Sequence, residues 1–311
     1  MRKVSLIICF LFFPMSLKAE NLTLLLDWFI NPDHGPIIIA EKNGFFSDYD
    51  LEVDIIAPAD PSAPPKLVAA GKGDIAISYQ PQLHLNVKEG LPLTRVGTLI
   101  ATPLNCLLTL KDGEINKISD LKGKKVGFSV SGVEEALLEA LLKKNKLELK
   151  DISLINVNFS LSPSLMTKQV DAVIGAYRNF ELNQMEIENV PGKCFYLEEE
   201  GIPSYDELIY VANKKDLKIK KIRKFLLAIE KATQFIVNNP NKSWEIFSSY
   251  SPELNDELNK KAWYDTYARF SLTPSAIDTG RYVRFEKFLL EYGLIDKGTP
   301  VDNYTIDVFR K

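Results

Sequence analysis

The sequence predicts an α/β protein with two similar lobes and a helical extension at its C-terminal end. Short apolar runs alternate with amphipathic segments over the first two-thirds of the chain, which is typical of parallel sheets covered by helices. One strand motif occurs twice, as GDIAIS and as VDAVIG. After residue 212 only helical patterns follow, so the last third of the chain must pack against one of the lobes.

The first alternation begins with an apolar strand at 22–26 and a helix that Pro36 opens and Gly44 closes. Proline suits a first helical turn because the N–H that it lacks would have no partner there. A proline-rich turn at 58–65 leads into the next helix. The other predicted elements are strands at 51–56, 74–78, 93–100 and 105–110 and helices at 66–70 and 82–89.

The second alternation follows a turn at 111–113 and contains a strong amphipathic helix at 133–144. Its predicted strands lie at 126–128, 152–157, 172–175 and 207–212, with a short helix at 163–168 and a strand-like run, KCFYLE, near residue 194. The repeated motif, at 72–78 and 169–175, follows a short helix and precedes a polar-aromatic turn in both halves. This shared order favours two lobes over a chance likeness between α/β turns.

The C-terminal third is predicted to contain four helices, each opened by a capping residue or a proline. The signals are Asn239-Pro240, Ser251-Pro252 and Thr273-Pro274, and the predicted helices cover 219–238, 241–249, 253–269 and 276–293.

Composition and the first residues bear on location. The 311 residues, 46% of them hydrophobic, are enough for two domains, and 38 basic against 41 acidic residues argue against a nucleic-acid binder. Residues 1–19 are predicted to be a cleavable signal peptide, since Arg2-Lys3 precede an apolar run too short to span a bilayer. A first core helix is the alternative. We therefore expect an exported, periplasmic protein.

Two cysteines, Cys106 and Cys194, lie outside the predicted signal peptide. Export permits a disulfide, but both residues sit in strand-like runs, where buried free thiols are at least as common. The sequence leaves the choice open.

Motifs for catalysis are missing from the sequence. The segment 127–132 lacks the glycine that a nucleophile elbow needs two residues after its serine. No phosphate loop or dinucleotide fingerprint occurs, and His34 and His84 are too far apart in sequence for a short-spaced metal pair. We expect no catalytic residues, no cofactor and no metal.

Polar and aromatic residues do gather where predicted strands end. These turns are Asp27-Trp28 through His34, Ser78-Tyr79-Gln80, Ser129 to Gly132, and Tyr177 to Glu181. Open α/β sheets bind small ligands at the carboxyl ends of their strands. Two lobes with such turns on facing edges predict a hinged binding cleft.

Several segments together resemble a known family over about residues 21–300: LDWFINPDH, AEKNGFF, GKGDIAIS, DLKGKKVGF and KATQFIVNNP followed by a tryptophan. The chain resembles the NMT1/THI5-like branch of the solute-binding proteins of ABC importers. The resemblance implies a type II periplasmic-binding fold, with lobe one at 20–108 plus 209–311 and lobe two at 109–208. It also implies a monomer that binds an aminopyrimidine precursor of thiamine, of the hydroxymethyl or formylamino type, for a membrane permease and its ATPase.

The resemblance further implies roles for the residues of the turns. Trp28, Tyr79 and Tyr177 would stack on the pyrimidine ring. Glu181 would pair with the exocyclic amino group and the neighbouring ring nitrogen. Asp27 more naturally caps its loop than touches ligand. The other expected ligand contacts are Asn31, His34, Ser129, Gly132, Asn179 and Tyr205.

Two other kinds of ligand or activity stay open beside this hypothesis. Relatives of this branch bind riboflavin or alkylsulfonates, but a sulfonate needs fixed cations, and Arg178 is expected to face solvent. The same branch contains pyridoxal-phosphate-dependent pyrimidine synthases. Ser78 stands about where these carry the cofactor lysine, and their CCCFC run has no counterpart around Gly201–Leu208. Without an amine at that position no Schiff base forms, so the synthase is disfavoured.

Overall fold

The computed structural model describes residues 19–310, which form two five-stranded sheets covered by ten helices. The strands are β1 (Glu20–Leu25), β2 (Leu51–Ile56), β3 (Ile75–Ser78), β4 (Leu93–Ile100), β5 (Asn105–Leu110), β6 (Lys125–Phe128), β7 (Ser153–Asn156), β8 (Ala172–Tyr177), β9 (Gly192–Tyr196) and β10 (Leu208–Asn213). The helices are α1 (Gly35–Lys42), α2 (Pro64–Ala69), α3 (Gln80–Lys88), α4 (Val133–Lys144), α5 (Leu161–Met166), α6 (Glu181–Ile187), α7 (Ile219–Asn238), α8 (Pro240–Ser248), α9 (Glu257–Thr266) and α10 (Thr279–Glu291).

The two sheets have the same pattern of strand pairing. The first has the order β2-β1-β3-β10-β4 and the second the order β7-β6-β8-β5-β9. In each, the fourth strand, β10 or β5, is antiparallel to both of its neighbours, and the other four strands run in one direction. We call the part of the chain built on the first sheet lobe one and the part built on the second sheet lobe two. The predicted α/β fold of two lobes is confirmed.

Two strands connect the lobes by exchange. β5 follows β4 along the chain but pairs in the second sheet, and β10 follows β9 but pairs in the first. The segments before these two strands, 101–104 and 197–207, therefore cross between the lobes. The predicted boundary of lobe one at residue 108 falls inside β5, which pairs along its length with β9 of the second sheet.

The repeated sequence motif has the same structural role in both lobes. Asp74 accepts a hydrogen bond from the N–H of Thr23 at 3.0 Å, and its own N–H donates to the Thr23 carbonyl. Asp171 makes the same pair of bonds with Lys125, its carboxylate accepting at 2.8 Å. Each aspartate thus joins the start of β3 or β8 to the second strand of its sheet, β1 or β6, and the motif marks equivalent positions.

The C-terminal helices α7 to α10 cover lobe one, where α7 packs on α1 and α10 on α3. Two predicted helices begin late. Asp256 and Asp278 cap α9 and α10 by accepting the N–H groups of Asn259 and Arg281, so these helices begin after the predicted residues 253 and 276. Short 3-10 turns flank α9 where the sequence predicted one continuous helix over 253–269.

The two cysteines form a disulfide between neighbouring strands of the second sheet. Cys106 on β5 lies opposite Tyr196 and Cys194 on β9 lies opposite Leu108, so the two cysteines are diagonal neighbours, with Cα atoms 5.5 Å apart. The choice that the sequence left open is therefore decided for the disulfide, because the pairing of these strands places the two side chains on the same face and next to each other. The two cysteines are 88 residues apart in sequence, so only the tertiary structure shows that they are neighbours.

The predicted signal peptide lies, except for Ala19, outside the described residues. Within residues 19–310 no helix is long and apolar enough to cross a membrane.

Candidate functional site

A narrow cleft lies between the two lobes, at the sheet edges where the parallel strands end. The space in it that is open to the centres of water molecules is about 40 Å³, which is room for a few water molecules or one small ring. Both lobes and both crossing segments contribute to it. The lining residues are Asp27, Trp28, Asn31, Asp33, His34, Tyr79 and Pro81 of lobe one; Val130, Val133, Glu134, Leu137, Leu161, Gly175, Tyr177, Phe180 and Glu181 of lobe two; and Asn105, Tyr205 and Glu207 next to the crossing strands.

On the side of lobe one, three polar side chains hold each other in place. His34 Nε2 lies 3.0 Å from Asp27 Oδ1, and the Tyr79 hydroxyl donates to Asp27 Oδ2 at 2.9 Å. His34 Nδ1 accepts the N–H of Asn31 at 3.3 Å, so Nε2 carries the proton and donates to Asp27. Asn31 also caps the turn by accepting the N–H of Asp33 at 2.8 Å. This network is formed by residues of one lobe alone.

Lobe two and the crossing segment contribute glutamates that bind the backbone. Glu134 Oε2 accepts the N–H of Ser129 at 2.6 Å, and Glu181 Oε2 accepts that of Tyr177 at 2.7 Å. Glu207 Oε2 accepts two N–H groups at the start of β5, those of Leu104 and Asn105, at 2.5 and 3.0 Å. These hydrogen bonds from backbone N–H groups hold three carboxyl groups in the lining of the cleft.

Burial raises the pKa of several carboxyl groups around the cleft, because a charged carboxylate is poorly solvated there. The pKa of Asp33 rises to about 6, that of Glu181 and of Glu207 to about 7, and that of Glu134 to about 8. Hydrogen bonds from the backbone or from neighbouring side chains lower each value but do not cancel the effect of burial. These groups can therefore exchange protons near neutral pH.

Aromatic side chains surround Trp28. Its ring packs edge-on against Phe159 of lobe two, with centroids 4.6 Å apart, and Phe29 lies between Phe159 and Phe180 at 6.4 and 6.0 Å. Trp28 thus lines the cleft and also takes part in the contact between the lobes. Phe29 is 42% exposed, so this aromatic group reaches the surface.

Of the ten predicted ligand contacts, seven line the cleft and lie at one place: Trp28, Asn31, His34, Tyr79, Tyr177, Glu181 and Tyr205. The other three do not. Ser129 donates its hydroxyl to the Asn158 carbonyl, away from the cleft. Gly132 is exposed at the start of α4, on a surface groove shared with Lys66 and Glu135.

Asn179, the third residue outside the lining, bridges the lobes instead. Its Nδ2 donates to Asp33 Oδ1 and to Thr266 Oγ1, both at 2.7 Å. A second contact of the same kind runs from Asn183 to Asp265, also at 2.7 Å. These amides hold α6 of lobe two against the first loop and α9.

The sequence analysis expected Arg178 to face solvent, and this expectation is wrong. Its guanidinium forms a bidentate ion pair with Glu198, at 2.7 and 2.9 Å, and stacks 4.1 Å from the ring centre of Tyr196. It also donates to the carbonyl groups of Leu104 and Asn105 in the crossing segment. The cation therefore has partners outside the cleft and is not available to an anionic ligand there.

The polar residues that sequence reasoning missed stand in two kinds of position. Asn105 begins the antiparallel strand β5 and Glu207 directly precedes the antiparallel strand β10, and the amino ends of these strands share an edge with the carboxyl ends of the parallel strands. Glu134 is the second residue of α4, and its side chain needs Gly175, where a Cβ would clash with Glu134 Oε1. The sequence does show Gly175 within the strand β8, but a glycine alone does not identify its partner. Asp27, predicted as a cap, lines the cleft as well.

Comparison with solved structures defines the class of this fold. The alkanesulfonate-binding protein of Xanthomonas axonopodis pv. citri superposes with a TM-score of 0.72 over 92% of this chain and 98% of the other, at 13% identity. The periplasmic nitrate-binding protein of Synechocystis PCC 6803 gives 0.70 over 93% and 87%, at 15% identity. The fold is that of the periplasmic binding proteins.

The sequence comparisons then show the family. The NMT1/THI5 like family model matches residues 31–243, and the chain belongs to this family. A Haemophilus influenzae protein named for thiamine biosynthesis is 51% identical over 294 residues, 94% of each chain. The formylaminopyrimidine-binding protein of Halalkalibacterium halodurans is 30% identical over 77% of this chain and 73% of its own. A 4-amino-5-hydroxymethyl-2-methylpyrimidine phosphate synthase of Saccharomyces cerevisiae is 28% identical over 82% and 78%.

Proposed function

We propose that this protein binds an aminopyrimidine precursor of thiamine, of the hydroxymethyl or formylamino type, in the cleft between its lobes. It holds the ligand without altering it and delivers it, as a periplasmic monomer, to the permease and ATPase of an ABC importer. The fold, and the relative named for binding formylaminopyrimidine, support this proposal.

The observation that carries the proposal is the acidity of the cleft. Asp27, Asp33, Glu134, Glu181 and Glu207 line it, and within residues 19–310 no lysine or arginine does. Such a site offers hydrogen-bond acceptors and negative charge. It favours a ligand that presents N–H donors and can carry a proton, which describes a 4-aminopyrimidine.

Glu181 suits the pairing with the pyrimidine in either protonation state. A carboxylic acid donates its O–H to the ring nitrogen and accepts from the exocyclic amino group, and a carboxylate accepts from both once the ring is protonated. A pKa of about 7 keeps both forms accessible near neutral pH. Trp28, Tyr79 and Tyr177 supply flat faces beside the ring, worth on the order of 1 kcal/mol per stacked pair beyond the buried area.

The cleft argues against an anionic ligand. A sulfonate would meet five carboxyl groups, and Arg178 is held outside by Glu198. Riboflavin, an uncharged heterocycle, is distinguished by titration.

A pyridoxal-dependent synthase needs a lysine at the site, because the cofactor is held there as a Schiff base. Ser78, at the expected position, is fully buried and donates its hydroxyl to Gln82 Oε1 at 2.8 Å. The residue types of this cleft therefore support binding rather than catalysis, although relatives in the family are named synthases.

Isothermal titration calorimetry of the purified protein tests the proposal. The titrants are 4-amino-5-hydroxymethyl-2-methylpyrimidine, its formylamino counterpart, riboflavin and an alkylsulfonate. We expect heat and a rise in melting temperature with an aminopyrimidine and with neither other ligand. Absence of both signals with every aminopyrimidine would disprove the ligand class. An absorbance band of a Schiff base in protein incubated with pyridoxal phosphate would instead support the synthase.

A further inference from the structure

The loop between β6 and α4 has the form of an anion-binding site. Four successive backbone N–H groups, those of residues 129–132, lie where a strand ends and a helix begins. Such a turn at a helix N-terminus concentrates unpaired donors and the positive end of the helix dipole. In many α/β proteins this position holds a phosphate.

Here the chain's own side chains occupy three of the four donors. Glu134 accepts the N–H of Ser129 at 2.6 Å. The hydroxyl of Ser62, from lobe one, accepts that of Ser131 at 3.0 Å, and Glu135 accepts that of Gly132 at 2.5 Å. An anion at this loop would therefore have to compete with these three acceptors.

Glu134 is the one of these acceptors that also lines the cleft. Its side chain is 4% exposed and lies across Gly175 of β8, where a Cβ would come within 2.1 Å of Oε1. Gly175 has φ +95°, a conformation that side chains rarely adopt, so backbone and residue type together keep this space open for the carboxyl group. The carboxyl group is therefore built into the wall of the cleft.

We infer that Glu134 is a specificity-determining residue that makes the cleft reject anionic ligands, so that it takes the uncharged aminopyrimidine and excludes its phosphate ester. The inference rests on the proposed function for the identity of the pyrimidine. A phosphoryl group would have to displace Glu134 from the Ser129 amide and would find no cation among the lining residues in 19–310. Exclusion thus follows from filling the donors, in addition to repulsion by the acidic wall.

Calorimetry on three variants tests the inference. Glu134→Ala frees the Ser129 amide, and Glu134→Gln keeps a carbonyl on it while adding an NH₂ donor. Glu135→Ala is the matched control, since it removes a carboxylate from the same helical turn but from outside the cleft. The titrants are 4-amino-5-hydroxymethyl-2-methylpyrimidine, its phosphate monoester and inorganic phosphate.

We expect the wild-type protein and Glu135→Ala to bind the alcohol at least about 100-fold more tightly than the ester. In Glu134→Ala this ratio should fall by at least about tenfold, and inorganic phosphate should bind measurably. Glu134→Gln should show a smaller fall. A wild-type protein that binds the ester as tightly as the alcohol would overturn the inference, as would equal ratios in Glu134→Ala and Glu135→Ala.

Two further outcomes are decided by the same data. If Glu134→Ala does not fold, by circular dichroism, an unchanged ratio in folded Glu134→Gln overturns the inference. If the wild-type protein binds no aminopyrimidine, the proposed function fails separately. The inference is then decided by whether inorganic phosphate binds Glu134→Ala more tightly than the wild-type protein and Glu135→Ala.

Discussion

The two lobes contain equivalent connections with different chemistry. β1 and β6 are the second strands of their sheets, and each leads through a loop at the cleft into a helix, α1 or α4. In lobe one the longer loop satisfies its own amides through Asn31 and His34 and places Trp28 at the ligand site. In lobe two the shorter loop depends on Glu134 and Glu135 of the following helix.

This difference shows how one topology produces two complementary walls. The residues of lobe one bond mainly to each other, as Asp27 does with His34 and Tyr79. Glu134 and Glu181 of lobe two bond to backbone amides and remain part of the cleft lining. Lobe one is therefore a preformed surface with an aromatic ring, and lobe two supplies acceptors. The predictions that follow test this division of roles.

The largest effect on ligand affinity is expected from a substitution at Glu181. Glu181→Gln keeps an acceptor for the Tyr177 N–H but removes the carboxyl group that pairs with the pyrimidine. We expect affinity to fall on the order of 100-fold, near 2.7 kcal/mol, as for loss of a charge-assisted hydrogen bond in a desolvated site. Calorimetry measures it, with Glu188→Gln, exposed at the end of the same helix, as the control. Equal affinities in the two variants would contradict a role for Glu181 in the acceptor wall.

The contact between the two walls of the cleft should contribute less to ligand affinity than Glu181 does. Asn179→Ala removes the amide that joins Asp33 and Thr266, so the closed form loses two hydrogen bonds. We expect about tenfold weaker binding, near 1.4 kcal/mol, mostly through a faster koff, because the contact forms after the ligand has entered. Stopped-flow tryptophan fluorescence measures the rate. A double-mutant cycle with Thr266→Val should show coupling, and strict additivity would rule out the bridge.

The pH dependence of stability should separate the walls as well. Buried carboxyl groups with raised pKa bind a proton in the folded protein at pH values where the unfolded chain, with a pKa near 3.9 for aspartate and 4.3 for glutamate, has lost it. Their contribution to stability is complete below the unfolded pKa and is lost as pH rises from there through the folded pKa. The folded pKa that ends this loss is about 6 for Asp33 and about 7 and 8 for Glu181 and Glu134.

The ligand-free protein should therefore melt at a lower temperature at pH 8 than at pH 5, by at least about 2 °C, measured by calorimetry. Glu181→Gln should flatten the curve above pH 6, where Asp33→Asn should not. A melting temperature that rises steadily from pH 5 to 8 would show that these groups are charged in the folded protein.

The smallest effect is expected inside the network of lobe one. Tyr79→Phe removes one of the two side chains that hold Asp27, and His34 still holds the other oxygen. We expect a loss of about 1 kcal/mol in the free energy of unfolding, measured by urea titration, and a change in affinity of only a few-fold. Tyr292→Phe, at the C-terminal end of α10 and outside the cleft lining, is the control. A loss in affinity as large as that of Glu181→Gln would place a ligand contact at the Tyr79 hydroxyl.

Much of the site was predictable because binding loops follow strands. Trp28, His34, Tyr79, Tyr177 and Glu181 all stand just after apolar runs, and strand ends of a parallel sheet meet at one edge. Of the three predicted residues that do not line the cleft, Asn179 is in one of these loops, and Ser129 and Gly132 are in the loop between β6 and α4. The side chains of Ser129 and Asn179 bond to partners far away in sequence, such as Asn158 and Asp33.

What the sequence by itself determined was local: the order of strands and helices, the caps and the turns. The repeated aspartates, Asp74 and Asp171, even marked equivalent positions in the two lobes. The exchange of β5 and β10, the Cys106–Cys194 disulfide and the places of Glu134 and Glu207 were decided only by tertiary structure. The physical reason is range. Periodicity and capping act over a few residues, whereas strand pairing and buried hydrogen bonds join residues brought together only when the chain folds.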